Sequence, residues 1–259
     1  MKKVIFLHII LLVALFNNKA KAQERVVTFG IQYKPIIPLG FFDTGEQSEI
    51  SNDVVFTLNP KTGSGFGMVI RKGFTKSLSL ETGINIISRK YDLTIDDVDS
   101  NFKSESSFKI TNYEIPVLGL VYVQFNDNLF MNVAGGFSLD IYPTELRTVG
   151  TNFSNDLLRY DWINVSLLAN VGFEYRTEKS GYFYIGASLH KPFSSIFREF
   201  VVYDGHQRDN KTQTMEFDLS GNYFTIDIRY FFHEDKQKKK KKKKKKEKKV
   251  FIDPRKQTK

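Results

Sequence analysis

The chain has 259 residues, no cysteine and a formal charge of +9. Without cysteine there can be no disulfide, no thiolate metal site and no acylated lipoprotein anchor. The charge is local: residues 236–259 hold 15 Lys and Arg against 2 acids and the first 22 residues add four lysines, so 23–235 carries −8 and gives no reason to expect a nucleic-acid partner.

At the start, Lys2 and Lys3 precede an apolar run over 4–16 that only His8 interrupts, and Ala20-Lys21-Ala22 follows. That is the pattern of a secretory signal peptide cleaved after Ala22. The run is shorter than the roughly 20 residues a spanning helix needs. The expected organisation is a signal peptide over 1–22, one domain over 23–235 and a disordered Lys-rich tail over 236–259.

Eight segments of the domain alternate apolar and polar residues with period two, the signature of strands. The first, 26–34, sets Val27, Phe29, Ile31 and Tyr33 against Thr28, Gly30, Gln32 and Lys34. The second, 65–72, sends Phe66, Met68 and Ile70 away from Arg71. The third, 78–87, opposes Leu78, Leu80, Ile84 and Ile86 to Ser79, Glu81 and Asn85. The fourth, 110–125, is mixed, with Leu118 and Leu120 among Glu114, Tyr122 and Gln124. The fifth, 129–141, places Val133, Phe137 and Leu139 opposite Asn132, Ser138 and Asp140. The sixth, 163–175, runs Ile163, Val165, Leu167, Ala169, Val171, Phe173 and Tyr175 against Asn164, Ser166, Asn170 and Glu174. The seventh and eighth, 182–190 and 223–232, pair Phe183, Ile185, Ile226 and Ile228 against Ser188, His190, Asp227 and Arg229.

Connections alternate long and short. Tight turns are expected at 73–76, 126–127 and 177–181, rich in Gly, Asn and Asp. Long loops are expected over 38–62, 88–107, 142–159 and 193–221. This layout predicts an all-β fold, an eight-stranded antiparallel up-and-down transmembrane β-barrel with turns in the periplasm and loops outside. In lipid every backbone N–H and C=O must be paired internally, so such a sheet closes on itself. Eight strands leave room inside for side chains but not for a channel.

In the fourth strand the run Tyr113-Glu114-Ile115-Pro116-Val117-Leu118, with the leader and the eight-strand layout, resembles the Bacteroidetes outer-membrane β-barrel family of PorT-like proteins. The resemblance implies a Gram-negative outer-membrane location and no established activity for most members. The Lys-rich end departs from the usual pattern, in which the chain stops at the last strand. Pro116 lacks a ladder N–H, so a bulge or local break is expected there.

The polar faces collect Lys34, Arg71, Glu81, Glu114, Asp140, Glu174, Asp227 and Arg229, net −2. Charges buried in a closed lumen must pair, so Arg71, Glu81, Glu114, Asp140, Glu174, Asp227 and Arg229 are expected to form an interior polar network. No spacing marks a catalytic set, a metal centre or a cofactor site. The glycine-rich stretch 62–67 enters a strand, not a helix, so it is no dinucleotide loop. The expected role is structural or interactive: surface loops, acidic through Asp43, Glu46, Glu49, Asp96 and Glu199, binding a protein, a glycan or lipopolysaccharide, as an accessory to export or adhesion. The tail, with nine consecutive lysines, is a candidate for contact with peptidoglycan. Two alternatives stand beside this reading. One is a lipid-active enzyme using His190 with Ser188, Ser194 or Ser195; the other is a small-solute pore.

Overall fold

The computed structural model describes residues 26–40, 43–75, 77–98, 102–150, 152–177, 180–205 and 212–233. The expected signal peptide, the tail and His206 lie outside these residues. Among the described residues there are thirteen strands and no helix. They are β1 (Val27–Ile37), β2 (Gln47–Ser51), β3 (Val54–Gly73), β4 (Leu78–Asp97), β5 (Phe102–Gln124), β6 (Leu129–Ile141) and β7 (Leu146–Val149). Then follow β8 (Phe153–Arg159), β9 (Ile163–Arg176), β10 (Tyr182–Pro192), β11 (Phe197–Asp204), β12 (Thr212–Leu219) and β13 (Tyr223–Phe231).

Eight strands close into a ring. Going round, β1, β3, β4, β5, β6, β9, β10 and β13 each pair antiparallel with the next, and β13 pairs with β1. The alternation explains which side faces in. Phe29, Ile31, Phe66, Met68, Phe137, Leu167, Phe173 and Ile185 are exposed on the outside of the ring, while Arg71, Glu81, Asn85, Asp140, Ser166 and Asp227 are buried inside it. Leu118, Leu120 and Tyr122, which break the apolar-out pattern of the fourth strand, point inward and are buried together with Phe130, Ala134 and Leu168.

At one end the connections are tight. Asn126 Oδ1 accepts the N–H groups of Asn128 and Leu129 at 2.9 and 2.7 Å, an Asx turn. Gly181 closes the turn after β9 with φ of +90°, a backbone region that a side chain would strain.

At the other end the structure corrects the expected long loops. Residues 54–61, 88–97 and 102–109 continue β3, β4 and β5 well past the ring. Over 142–159 and 193–221 two hairpins form, β7–β8 and β11–β12, joined by β8–β11 pairing into a four-stranded sheet of order β12-β11-β8-β7. This sheet packs on the extended strands through Phe56, Leu93, Ile95, Phe108, Leu157, Phe197, Val201, Tyr203 and Phe217, all buried. These segments alternate as strictly as the eight expected strands, but with the apolar side inward. Chain chemistry therefore inverts along a single strand. In β4 the inward series runs Glu81, Asn85, Ile87, Arg89, Tyr91, Leu93, Ile95, and the outward series runs Leu80, Ile84, Ile86, Ser88, Lys90, Asp92, Thr94. A ring with a greasy outside thus carries a cap with a greasy core.

In β3 the same change requires a shift of phase. Its register against β4 slips between Lys61 and Ser64, a β-bulge that turns even-numbered residues from outward (Phe66, Met68) to inward (Phe56, Leu58). Pro116 produces a break, not a bulge. Pairing of β5 with β4 lapses between Thr82–Val117 and Asn85–Glu114 and resumes without a change of register.

Candidate functional site

The lumen of the ring is the densest concentration of buried polar chemistry in the molecule. Its lowest layer centres on Arg71, a direct cross-strand partner of Glu81. The Arg71 guanidinium donates to Glu81 Oε2 at 2.8 and 3.0 Å and also to Glu174. Arg229 donates to Glu81 at 2.5 Å and to Asp227 at 2.6 Å, and Arg176 donates to Glu174 at 2.6 Å. Aromatic rings floor this layer, with Arg71 4.0 Å from the Phe231 ring centre and Arg176 3.9 Å from that of Phe130. Tyr184 lies across the paired glycines Gly172 and Gly186, where any side chain would collide with its phenol. From there its hydroxyl donates to Asn170 at 2.7 Å.

The next layer joins Lys34, Asn85, Glu114, Asp140 and His190. Lys34 Nζ lies 3.1 Å from Glu114, which also accepts from Asn85 at 2.6 Å and from the Tyr223 hydroxyl. Asp140 is the cross-strand partner of Glu114. It accepts from Ser166 and meets His190 Nε2 at 2.9 Å. The His190 ring stacks on Tyr223 with centroids 4.2 Å apart. A third layer, under the cap, holds Arg89 with Asn112 and Tyr142.

All seven residues expected in the interior network are buried and share one connected lumen. Arg71, Glu81, Glu174, Asp227 and Arg229 are joined directly, while Glu114 and Asp140 form the adjoining layer. Two members escaped the sequence reading. Arg176 follows Glu174 by two residues, and Arg89 lies two beyond Ile87. Carrying the alternation one step further in each strand would have found both. They change the balance: five basic residues (Lys34, Arg71, Arg89, Arg176, Arg229) now face five acids (Glu81, Glu114, Asp140, Glu174, Asp227), in place of a net −2.

His190 does not form the relay that a hydrolytic site needs. Ser188 donates to Asp227 at 2.6 Å, and Ser194 accepts from Asn164 at 3.1 Å. His190 meets both Asp140 and Ser138, the latter at 3.3 Å, through the same nitrogen, whereas a nucleophile–base–orienter chain uses the two ring nitrogens separately. Glu114, Asp140 and His190 do offer three ligand atoms within 4.8 Å of one another, a metal-like donor set. Lys34 already supplies a positive charge beside Glu114.

In the cap, Glu199 is fully buried and accepts from Asn155 at 2.8 Å. Burial among apolar side chains pushes its carboxyl up to about 8, against the opposing effect of the Asn155 hydrogen bond.

Comparison with known proteins gives a family match over residues 22–198, to the outer membrane protein beta-barrel domain. No curated protein matches the chain. Among solved structures, the outer membrane protein OprG from Pseudomonas aeruginosa is similar at 12% identity and a TM-score of 0.49, over 82% of this chain and 98% of that one.

Proposed function

The chain belongs to the outer membrane protein beta-barrel domain family, and from that premise we propose that it is a sealed barrel with a structural or interaction role in the outer membrane, neither an enzyme nor a pore. In this reading the eight-strand ring is the transmembrane barrel. Its tight turns face the periplasm, and its cap stands outside as a folded platform for a protein, a glycan or lipopolysaccharide. Within the family its kinship is with the small PorT-like barrels of Bacteroidetes, a reading supported by the run from Tyr113 to Leu118. The Lys-rich tail would then meet peptidoglycan acids from the periplasmic side.

The observation that carries the proposal is the content of the lumen. Ten charged side chains fill it in equal numbers of each sign, and an apolar core closes its far end. An ion crossing this barrel would have to separate buried pairs whose loss is costly. The expected result in a planar bilayer is that purified protein gives no unitary conductance steps. A steady ohmic conductance from the intact protein would overturn the reading.

A further inference from the structure

Three lysines stand side by side on the outer wall. Lys61 of β3 is the direct cross-strand partner of Lys90 in β4, and Lys90 is that of Lys109 in β5. All three are exposed and face away from the interior. Directly opposed residues on one face of a sheet have Cβ atoms about 4.5–5.5 Å apart, and like charges so placed destabilise it. Asp92 relieves Lys61 at 3.1 Å and also accepts from Ser107 at 2.6 Å. Lys90 and Lys109 have no ion-pair partner among the described residues. An anion shared between them would turn the repulsion into an attraction.

The row lies where the two outer surfaces meet. One step down each strand come Ser64, Ser88 and Thr111, themselves cross-strand partners in turn. One step further come Phe66, Ile86 and Tyr113, exposed members of the apolar exterior of the ring. From Ile86 to Lys90 is about 13 Å of strand. With strands tilted by about 40°, the lysines stand roughly 10 Å above the last apolar row, where lipid headgroups lie. Above the row the same wall is hollowed by about 330 Å³, and Lys61, Thr57, Asn59, Asp92 and Thr94 line the hollow. Asp96 and Glu105 line it too, so it suits hydroxyl donors and repels a second anion.

We propose that this wall is a docking site for a phosphorylated glycolipid of the outer leaflet, with one phosphomonoester on the lysine row and its sugar in the hollow. A phosphomonoester carries about −1.5 to −2 near neutral pH, a match for the two unpaired ammonium groups of Lys90 and Lys109. Ser88 and Thr111 offer hydroxyl donors from the membrane side. Sugar hydroxyls donate to Asn59 and Asp92, and the acyl chains run down over Phe66, Ile86 and Tyr113. A soluble acidic partner would have no use for the apolar rows directly below. The site rests on the reading of the ring as the transmembrane barrel.

The full chain is first offered to dioleoylphosphatidylcholine vesicles. Then, in a nonionic detergent, native mass spectrometry counts its adducts with monophosphoryl lipid A, the same lipid without phosphate, and dipalmitoyl phosphatidic acid. Monophosphoryl lipid A is expected to bind one to one and at least tenfold more tightly than either of the others. Lys90→Gln with Lys109→Gln should weaken it at least tenfold and leave the phosphate-free lipid unchanged. Lys72→Gln with Lys191→Gln, the same change of net charge elsewhere on the exterior, should have no effect. Because a repulsion is removed, the Lys90 and Lys109 variant should keep its folded band to at least the temperature of the parent. Should it not fold, Lys90→Gln alone carries the test. Protein that stays out of the vesicles overturns the transmembrane reading and this site with it. Protein that inserts but loses lipid affinity equally in both double variants, or in neither, overturns the site alone. Displacement of the lipid by equimolar inorganic phosphate overturns a lipid as the occupant, and phosphatidic acid binding as tightly as lipid A overturns the glycolipid.

Discussion

Glu199 shows what a single ionisable group does in an apolar core. Among the described residues it has no cationic partner, and its carboxyl titrates near 8, well above the usual range for an exposed glutamate. A carboxyl raised on folding stabilises nothing once it must ionise: the cap is at its most stable below about pH 4.5, loses stability as the pH rises toward 8, and levels off above. At about 1.4 kcal/mol per pH unit between those limits, the loss should be at most on the order of 5 kcal/mol. Urea unfolding followed by the fluorescence of Trp162, the single tryptophan, is expected to give a lower midpoint at pH 8.5 than at pH 5.5. Glu199→Gln should flatten that difference and raise the midpoint at pH 8.5; an unchanged pH profile in the variant would refute the assignment. The lumen pairs behave differently, because each charge there has its opposite in contact. Arg71→Met leaves Glu81 and Glu174 short of a shared partner and should cost about 3–5 kcal/mol, whereas Arg71→Met with Glu81→Gln should recover part of that loss. The temperature at which the fast-migrating folded band disappears from gels measures both.

At the scale of elements, the eight ring strands were legible because their greasy side faces out and their polar side faces in, a contrast that repeats every second residue. The fifth strand is read to the residue, 129–141. The cap was not legible for the same reason reversed. Segments such as 91–97 and 197–204 carry polar residues outward and sit between turn-forming residues, so beside the ring strands they look like loops. Only the inward series Tyr91, Leu93, Ile95 and Phe197, Val201, Tyr203 betrays them. Of the candidate site, the seven interior charges were readable from alternation. Arg89 and Arg176 lie just past the alternation expected over 78–87 and 163–175, and only its continuation brings them into view. The hairpins β7–β8 and β11–β12 are held to each other by the β8–β11 ladder. Replacing 144–161 with a short Gly-Ser loop should therefore leave the ring intact, as judged by heat-modified migration, while exposing 197–219 to protease. Resistance of β11–β12 to cleavage in that variant would show that the second sheet does not depend on the first hairpin.

At the scale of the whole molecule, two solvents meet across one set of strands. The ring behaves as membrane proteins do, apolar outside and polar within; the cap behaves as soluble proteins do, with the order reversed. The changeover lies near Ser88–Lys90 in β4 and at the bulge between Lys61 and Ser64 in β3. That bulge decides which core the far end of β3 joins: without its extra residue, Phe56 and Leu58 would stay in step with Phe66 and Met68 and point outward, and the second sheet would lose two of its buried contacts.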